Sequence, residues 1–533
     1  MGGRSSVSVL LRRLSKTAAE VAAPAVRAQR GLANLLGLGL AWAIVVGTEG
    51  IAAAAAEEAK SDAEARSSDA AAVVAAPSTA AADQHQQEID SSAESHNSAR
   101  AAESESSEPS EPKKKRAFPV TFTPRGQIFV RGQGRFNTKF DPVGRDRDVA
   151  VLQRARLGLL AETGPVKAYV EAQDIRKWGF GGSTVADKAN LDLHQGYLEL
   201  GGAKAGRSAS LRLGRQEIQI GSRRLMVDAN WNPRGQSFDA LRMVGASGMV
   251  SLDAGLMMLA PPTTFSIADP GGDPELAREV QTRGTYSAYT QLGVSLGPAL
   301  TFEGLVLGIS QRPTAKSPTA ERDIVNGGLR MHGKAAPGLI YDVEAYGQAG
   351  RELGLKHRAW AGFATIVYTF KARIKPGLSL RYNYATGQAC TGSPEEGCGN
   401  VQSGEFYRFF GLKHARYGLT DNVAHSNLRE FELGAHLAPH STVKLNLSYH
   451  FIQLDEPTGR WRRVNNTLAG AGWDPNNTRR NLGNEVDLLV IYRPWKALFM
   501  QLGYGVFMPQ EAGRQIAGSA SQHFVFLWMV AKL

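Results

Sequence analysis

From residue 118 onward the chain alternates between apolar and polar positions with a period of two. Val443, Leu445, Leu447, Tyr449 and Phe451 share one parity, and Lys444, Asn446, Ser448 and His450 share the other. Successive side chains of a strand point to opposite faces, so the stretch predicts a strand with one face for an apolar medium and one for water. Leu378, Leu380, Tyr382 and Tyr384 stand against Ser379, Arg381 and Asn383 in the same way, as do Val166, Ala168 and Val170 against Lys167, Tyr169 and Glu171.

The connections between such runs fall into two classes that alternate along the chain. Short ones lie at 163–165, 201–207, 246–248, 297–298, 334–338, 371–377, 438–441 and 493–496, most of them holding the Gly or Pro that a tight turn needs. Longer polar ones lie between them, among them 176–190, 221–234, 260–283, 387–424 and 455–481. Eight short turns join nine hairpins, hence about 18 strands near the ten residues that a tilted membrane strand requires. The expected fold is all-β: a transmembrane, antiparallel, up-and-down barrel. A soluble propeller or pair of sandwiches also has many short strands, but it explains neither the short-long rhythm nor outward Tyr, Phe and Leu without a repeat period. The last run, 522–532 (QHFVFLWMVAK), is apolar on both parities, as a closing strand against thick lipid or a plugged lumen would be. The chain ends on Leu533, where barrels commonly carry the aromatic residue that assembly machinery reads.

Three domains are expected. Residues 1–56 read as a cleaved signal peptide, with a long basic n-region (Arg4, Arg12, Arg13, Lys16, Arg27, Arg30), an apolar run from Leu32 to Gly47 and a small-residue exit at 52–56. That run is short for a membrane span, which argues against a retained anchor. Residues 57–116, rich in Ala, Ser and Glu, cannot bury enough apolar area to offset the entropy of ordering and read as a disordered periplasmic linker. Residues 117–533 are the barrel. The net charge of +11 belongs to the body: residues 1–55 hold six basic and two acidic side chains, residues 57–116 seven and 13, and the remaining 48 and 35 follow residue 116. Such an excess suits nucleic acid, anionic lipid or an anionic solute.

Taking apolar positions as lipid-facing gives the inward set by parity alone. It contains Arg154, Arg156, Lys167, Arg212, Arg242, Arg330, Arg381 and Lys444, with Glu162, Glu171, Glu303, Asp342, Glu344, Glu430, Glu432, Glu485 and Asp487 among them. A guanidinium offers carboxylate or phosphate a planar fork of donors, so an inward arginine set favours anions. The mixed signs also suit a lattice of ion pairs that stiffens the wall. Cys390 and Cys398, the only cysteines, flank TGSPEEG in the longest connection and are expected to form a disulfide. No catalytic residue, cofactor or metal is expected: Walker and HExxH patterns are missing, and RGQGRF lacks a third glycine. Basic residues do not cluster with aromatics as on a nucleic-acid surface.

Six segments stand out: 171–179 (EAQDIRKWG), 192–200 (DLHQGYLEL), 211–218 (LRLGRQEI), 236–243 (QSFDALRM), 382–387 (YNYATG) and 485–494 (EVDLLVIYRP). In their order and spacing, over most of 118–533, the chain resembles the alginate export family of outer-membrane channels. LRLGRQ followed about twenty residues later by SFDALR is the most specific part, and it singles out Gly214, Arg215, Gln216 and Asp239. The resemblance implies an 18-stranded barrel and a passive conduit for an anionic uronate polymer or a smaller solute. Where the family tends to place an Arg before SFD this chain has Gln236, and Arg215 is expected near an extracellular strand end. The expected partners are outer-membrane lipids and lipopolysaccharide, anionic solutes and the barrel-assembly machinery, with the barrel a monomer and not a trimer. Two other functions fit the same strands: an outer-membrane lipid hydrolase with Ser and His on its outer wall, and an adhesin or tether whose linker holds the cell wall.

Overall fold

In the computed structural model the described residues are 119–144, 146–178, 191–204, 206–267, 278–314, 320–411 and 414–533. The expected signal peptide and linker lie outside them. Eighteen strands form one antiparallel sheet. The first seven are β1 (Thr121–Phe136), β2 (Arg147–Thr163), β3 (Val166–Lys177), β4 (Asp192–Lys204), β5 (Arg207–Gln216), β6 (Phe238–Ser247) and β7 (Val250–Ala260). A separate small hairpin, β8 (Thr263–Ile267) with β9 (Arg278–Thr282), follows. The sheet continues with β10 (Thr285–Ser295), β11 (Thr301–Gln311), β12 (Arg322–Ala336), β13 (Leu339–Glu352), β14 (Leu355–Thr369) and β15 (Gly377–Ala385). It ends with β16 (Leu428–His440), β17 (Val443–Gln453), β18 (Asn481–Trp495), β19 (Leu498–Pro509) and β20 (Gln522–Lys532). A short helix, α1 (Glu511–Ile516), sits between the last two.

Closure is what makes this sheet a membrane wall. β1 pairs with β20 over a register from Gln127↔Lys532 to Phe136↔His523 and with β2 on its other edge, so no strand edge is left in the ring. Hydrocarbon offers no partner to a free N–H or C=O, and a closed ring removes the need for one. The eight short turns fall where Gly and Pro predicted them, on the side where the ring begins and ends. The rhythm of the opposite side breaks once: β13 and β14 are joined only by Leu353 and Gly354. Both residues take left-handed backbone, φ 50° and 79°, the geometry whose twist matches two adjoining strands.

Parity holds along the wall. Leu447 and Tyr449 of β17 are exposed on the outside, while Asn446, Ser448 and His450 are buried on the inside. Leu329, in the middle of β12, is 72% exposed and faces outward, and Trp360 and Trp495 stand near opposite rims of the apolar band. The core lies inside the ring. The connections 217–237, 386–427 and 454–480 turn inward, and Ile218, Leu225, Met226, Phe406, Phe409, Tyr417, Val423 and Trp461 pack there against Phe238, Tyr289, Phe363 and Phe507 of the wall. This explains β20: its outer Val525 and Leu527 meet lipid, and its inner Phe524, Phe526 and Trp528 meet Trp231, Leu419 and Ala415 of the connections.

Leu329→Arg places a charge at the centre of the apolar band and is expected to lower unfolding stability in lipid vesicles by about 2–4 kcal/mol. Leu353→Arg, at the rim, is expected to cost about 0–1 kcal/mol in the same denaturant titration.

Candidate functional site

The inward faces of neighbouring strands place opposite charges side by side. Arg381 of β15, Glu432 of β16, His450 of β17 and Glu485 of β18 are successive cross-strand neighbours. Arg381 donates to Glu432, and His450 lies 2.6 Å from Glu430 and 3.1 Å from Asp487. Three strands before β15, Arg330 of β12 bridges Glu303 at 2.9 Å and Asp342 at 2.8 Å. Arg242 holds Asp253 at 2.6 Å, Arg212 holds Glu199 at 2.5 Å, and Lys167 holds Glu162 at 3.1 Å. Each of these cations stands inside, where parity put it, but its charge is spent on the wall. Burial makes an unpaired charge costly, and an adjacent strand can supply the counter-charge in register.

Two arginines of β2 hold a loop instead. Arg154 donates to the carbonyls of Asn230 and Pro233, and Arg156 donates to Asn230 Oδ1 at 2.8 Å and pairs with Glu217 at 3.2 Å and with Glu171 at 3.9 Å. Arg131 of β1 donates to the carbonyl of Trp231 at 2.7 Å. The same connection meets the opposite wall. Arg224 pairs with Glu344 of β13 at 3.1 Å and donates to Asn383 of β15, and Ser222 donates to Glu344 at 2.7 Å. In a ring of 18 strands β2 and β13 are nine steps apart in either direction, so residues 217–237 cross the bore.

A second connection crosses beside it. Phe410 pairs with Met226 as a bridge, and Trp231 stacks on His414 with ring centroids 3.5 Å apart. The amides of Leu419 and Thr420 donate to Asp487 and Glu485 of β18, and Asp421 pairs with Arg135 of β1 at 2.7 Å. The third connection clamps the second: Trp461 donates to the carbonyl of Asn422, and Arg462 pairs with Glu405. Cys390 and Cys398 are joined as expected and lie against Trp473. Sequence parity could not find these plug residues because loops have no period. The readable signal was their apolar content: Leu225, Met226, Trp231, Phe406, Phe409, Phe410 and Leu419 are too many for connections that stay in water.

In the second connection Arg408 and Arg416 make no ion pair among the described residues. Arg416 is 8% exposed, donates to the carbonyl of Ser222 at 2.6 Å and shares its surroundings with Arg224 and Arg381. Burial and then the Arg224 charge push its guanidinium down to about 9, which leaves it charged at neutral pH. Burial likewise pushes Arg408 down to about 10.

The LRLGRQ and SFDALR segments meet at the end of β5 and the start of β6. Arg215 is the penultimate residue of β5, on the side of the long connections, and pairs outward with Asp239 at 3.1 Å. Gln216 points inward and donates to the carbonyls of Gly214 and Ala240. At Gly214, φ 128°, a Cβ would lie 2.3 Å from the carbonyl of Gly196, so the position requires glycine. Gln236 donates to the carbonyls of Val227 and Phe410, tying the two crossing loops together.

The model of the alginate export family matches residues 126–526. No curated protein matches the chain. Among solved structures it is similar to the outer-membrane protein opdK of Pseudomonas aeruginosa, with 9% identity, a TM-score of 0.50, and coverage of 77% of this chain and 98% of that one. OccK11 (OpdR) and OprD of the same organism follow at 12% and 11% identity, each with a TM-score of 0.47 over 77% of this chain and 96% and 95% of theirs. At such identity the likeness to opdK speaks to the fold alone.

His414 and His425 both belong to the second crossing loop. Burial drives each below the ordinary 6.5, with Arg131 and Arg135 adding to it at His414 against the pull of Asp421, and Arg224, Arg408 and Arg416 adding to it at His425. Both are neutral while the loop is packed and take up a proton when it is released. The packed state therefore loses ground as pH falls through 6.5. Asp228 of the first loop, pushed up to about 6 by burial and Glu217, acts oppositely at lower pH. Single-channel opening events are expected to become more frequent as pH drops from 7.5 toward 6, and His425→Phe is expected to flatten that slope; an equally steep slope in the variant would contradict this account.

Proposed function

Belonging as it does to the alginate export family, the chain is an outer-membrane channel that solutes cross passively, and we propose that those solutes are anions, uronate-type sugars or polysaccharide among them. The carrying observation is Arg416: a charged guanidinium inside the barrel, making no ion pair among the described residues, beside two more arginines. The wall pairs neutralise one another and favour neither sign. Arg416 and Arg408 leave the loop-filled bore with positive charge unanswered, and a carboxylate passing through answers it through the planar fork.

On this reading the inward residues divide their work. Arg154, Arg156, Glu171 and Glu344 position the crossing loops, while Lys167, Arg212, Arg242, Arg330, Arg381 and Asp342 line the path with paired charges. A row of pairs offers a polyanion many weak exchange partners and no tight one, which is what conduction requires. No bond is made or broken in this proposal, so neither a catalytic residue nor a cofactor enters it.

In planar bilayers under a salt gradient the reversal potential is expected to favour anions, and Arg416→Gln is expected to lower the anion preference severalfold with the barrel intact. An acidic sugar oligomer is expected to reduce the ionic current where a neutral one of equal length does not. A cation preference in the parent protein contradicts the proposal.

A further inference from the structure

The outer face of β13 and β14 carries a cluster of like charges at the rim of the long connections. Arg351 of β13 and Lys356 of β14 are direct cross-strand neighbours, and Arg358 stands opposite Ala349 one step nearer the membrane centre. All three side chains are exposed, on the outward parity shared with Trp360, which is 61% exposed one further step inward. Like charges directly opposite each other on a sheet destabilise it. Elsewhere along this rim three outward arginines are answered: Arg215 by Asp239, Arg429 by Asp455 and Arg176 by Asp174. Asp323, the cross-strand neighbour of Arg351 on β12, is already held through both oxygens by Arg312. Arg351, Lys356 and Arg358 make no ion pair among the described residues. The connection above them is the two-residue turn, which covers nothing.

An outward aromatic marks the level where acyl tails give way to headgroups. Cations one and two rows above it therefore stand at headgroup level in the outer leaflet, which in an outer membrane is built of phosphorylated glycolipid. We propose that Arg351, Lys356 and Arg358 form a binding site for the phosphate groups of that glycolipid, with Trp360 against its sugar and upper acyl region. A phosphate between Arg351 and Lys356 relieves the repulsion that the bare strands impose, and Arg358 takes a second anionic oxygen. The assignment depends on the barrel's place in the outer membrane and is independent of what the channel carries.

The test is native mass spectrometry of the detergent-purified full chain with added lipid A, the bis-phosphorylated glycolipid, and with its dephosphorylated form. The parent protein is expected to retain lipid A and to hold the dephosphorylated form at least about tenfold less well, as follows from the attraction of several cations near an anionic surface. Arg351→Gln, Lys356→Gln and Arg358→Gln combined are expected to lose retention to the same extent, while Arg176→Gln is expected to keep it. Equal retention of the two lipids by the parent overturns the proposal, as does full retention by the triple variant. The first comparison uses the parent protein alone and decides the matter even if the triple variant fails to fold.

Discussion

Every backbone polar group that enters hydrocarbon must find its partner inside the protein. That constraint fixes the rest. The pairing of β1 with β20 turns the sheet into a ring without edges, and closure forces each strand to show one face to lipid and one to the bore. Leucine, tyrosine and tryptophan then collect outside, arginine and carboxylates inside, with no further instruction than the two-residue period. The net positive charge and the apolar last strand, ambiguous as composition, acquire meaning only once the wall has an inside.

Inside the wall the economics of charge reverse the first expectation of what an inward arginine does. Arg242, Arg330 and Arg381 sit beside carboxylates one strand away, so the buried wall is a lattice that costs little to keep and says little about cargo. The informative cations are those that the lattice does not satisfy, and they belong to the connections. Residues 217–237 reach from Arg131, Arg154 and Arg156 to Glu344 and Asn383 across the ring, and residues 386–427 lean on them through Phe410 and His414. The bore is thus set by loops, and the wall supplies the sockets that hold them.

How much of this the sequence disclosed follows from which features repeat. The strands, all eight short turns and the inward parity of Arg154, Arg156, Arg330 and Arg381 were legible because period two is a local signal. The partners of those arginines were not, because pairing Arg330 with Glu303 and Asp342 needs the register of two other strands. The paths of the loops were hidden for a related reason: Leu225, Trp231 and Phe409 mark burial without saying against what. The two-residue turn at Leu353 and Gly354, the β8–β9 hairpin and α1 were too short to leave a pattern. Gln236 shows the limit of resemblance. Where the family tends toward a charge, this chain uses an amide to bind two carbonyls, a choice explained by the loop it faces.

The central claim is that loops anchored to inward side chains determine what the barrel passes. Replacing residues 217–237 by a short Gly-Ser turn, with the barrel shown to be folded by its strand content, tests it through single-channel conductance in planar bilayers. The account predicts a conductance several times that of the parent chain. A conductance equal to the parent's would contradict it, since the crossing loop would then have no part in setting the path.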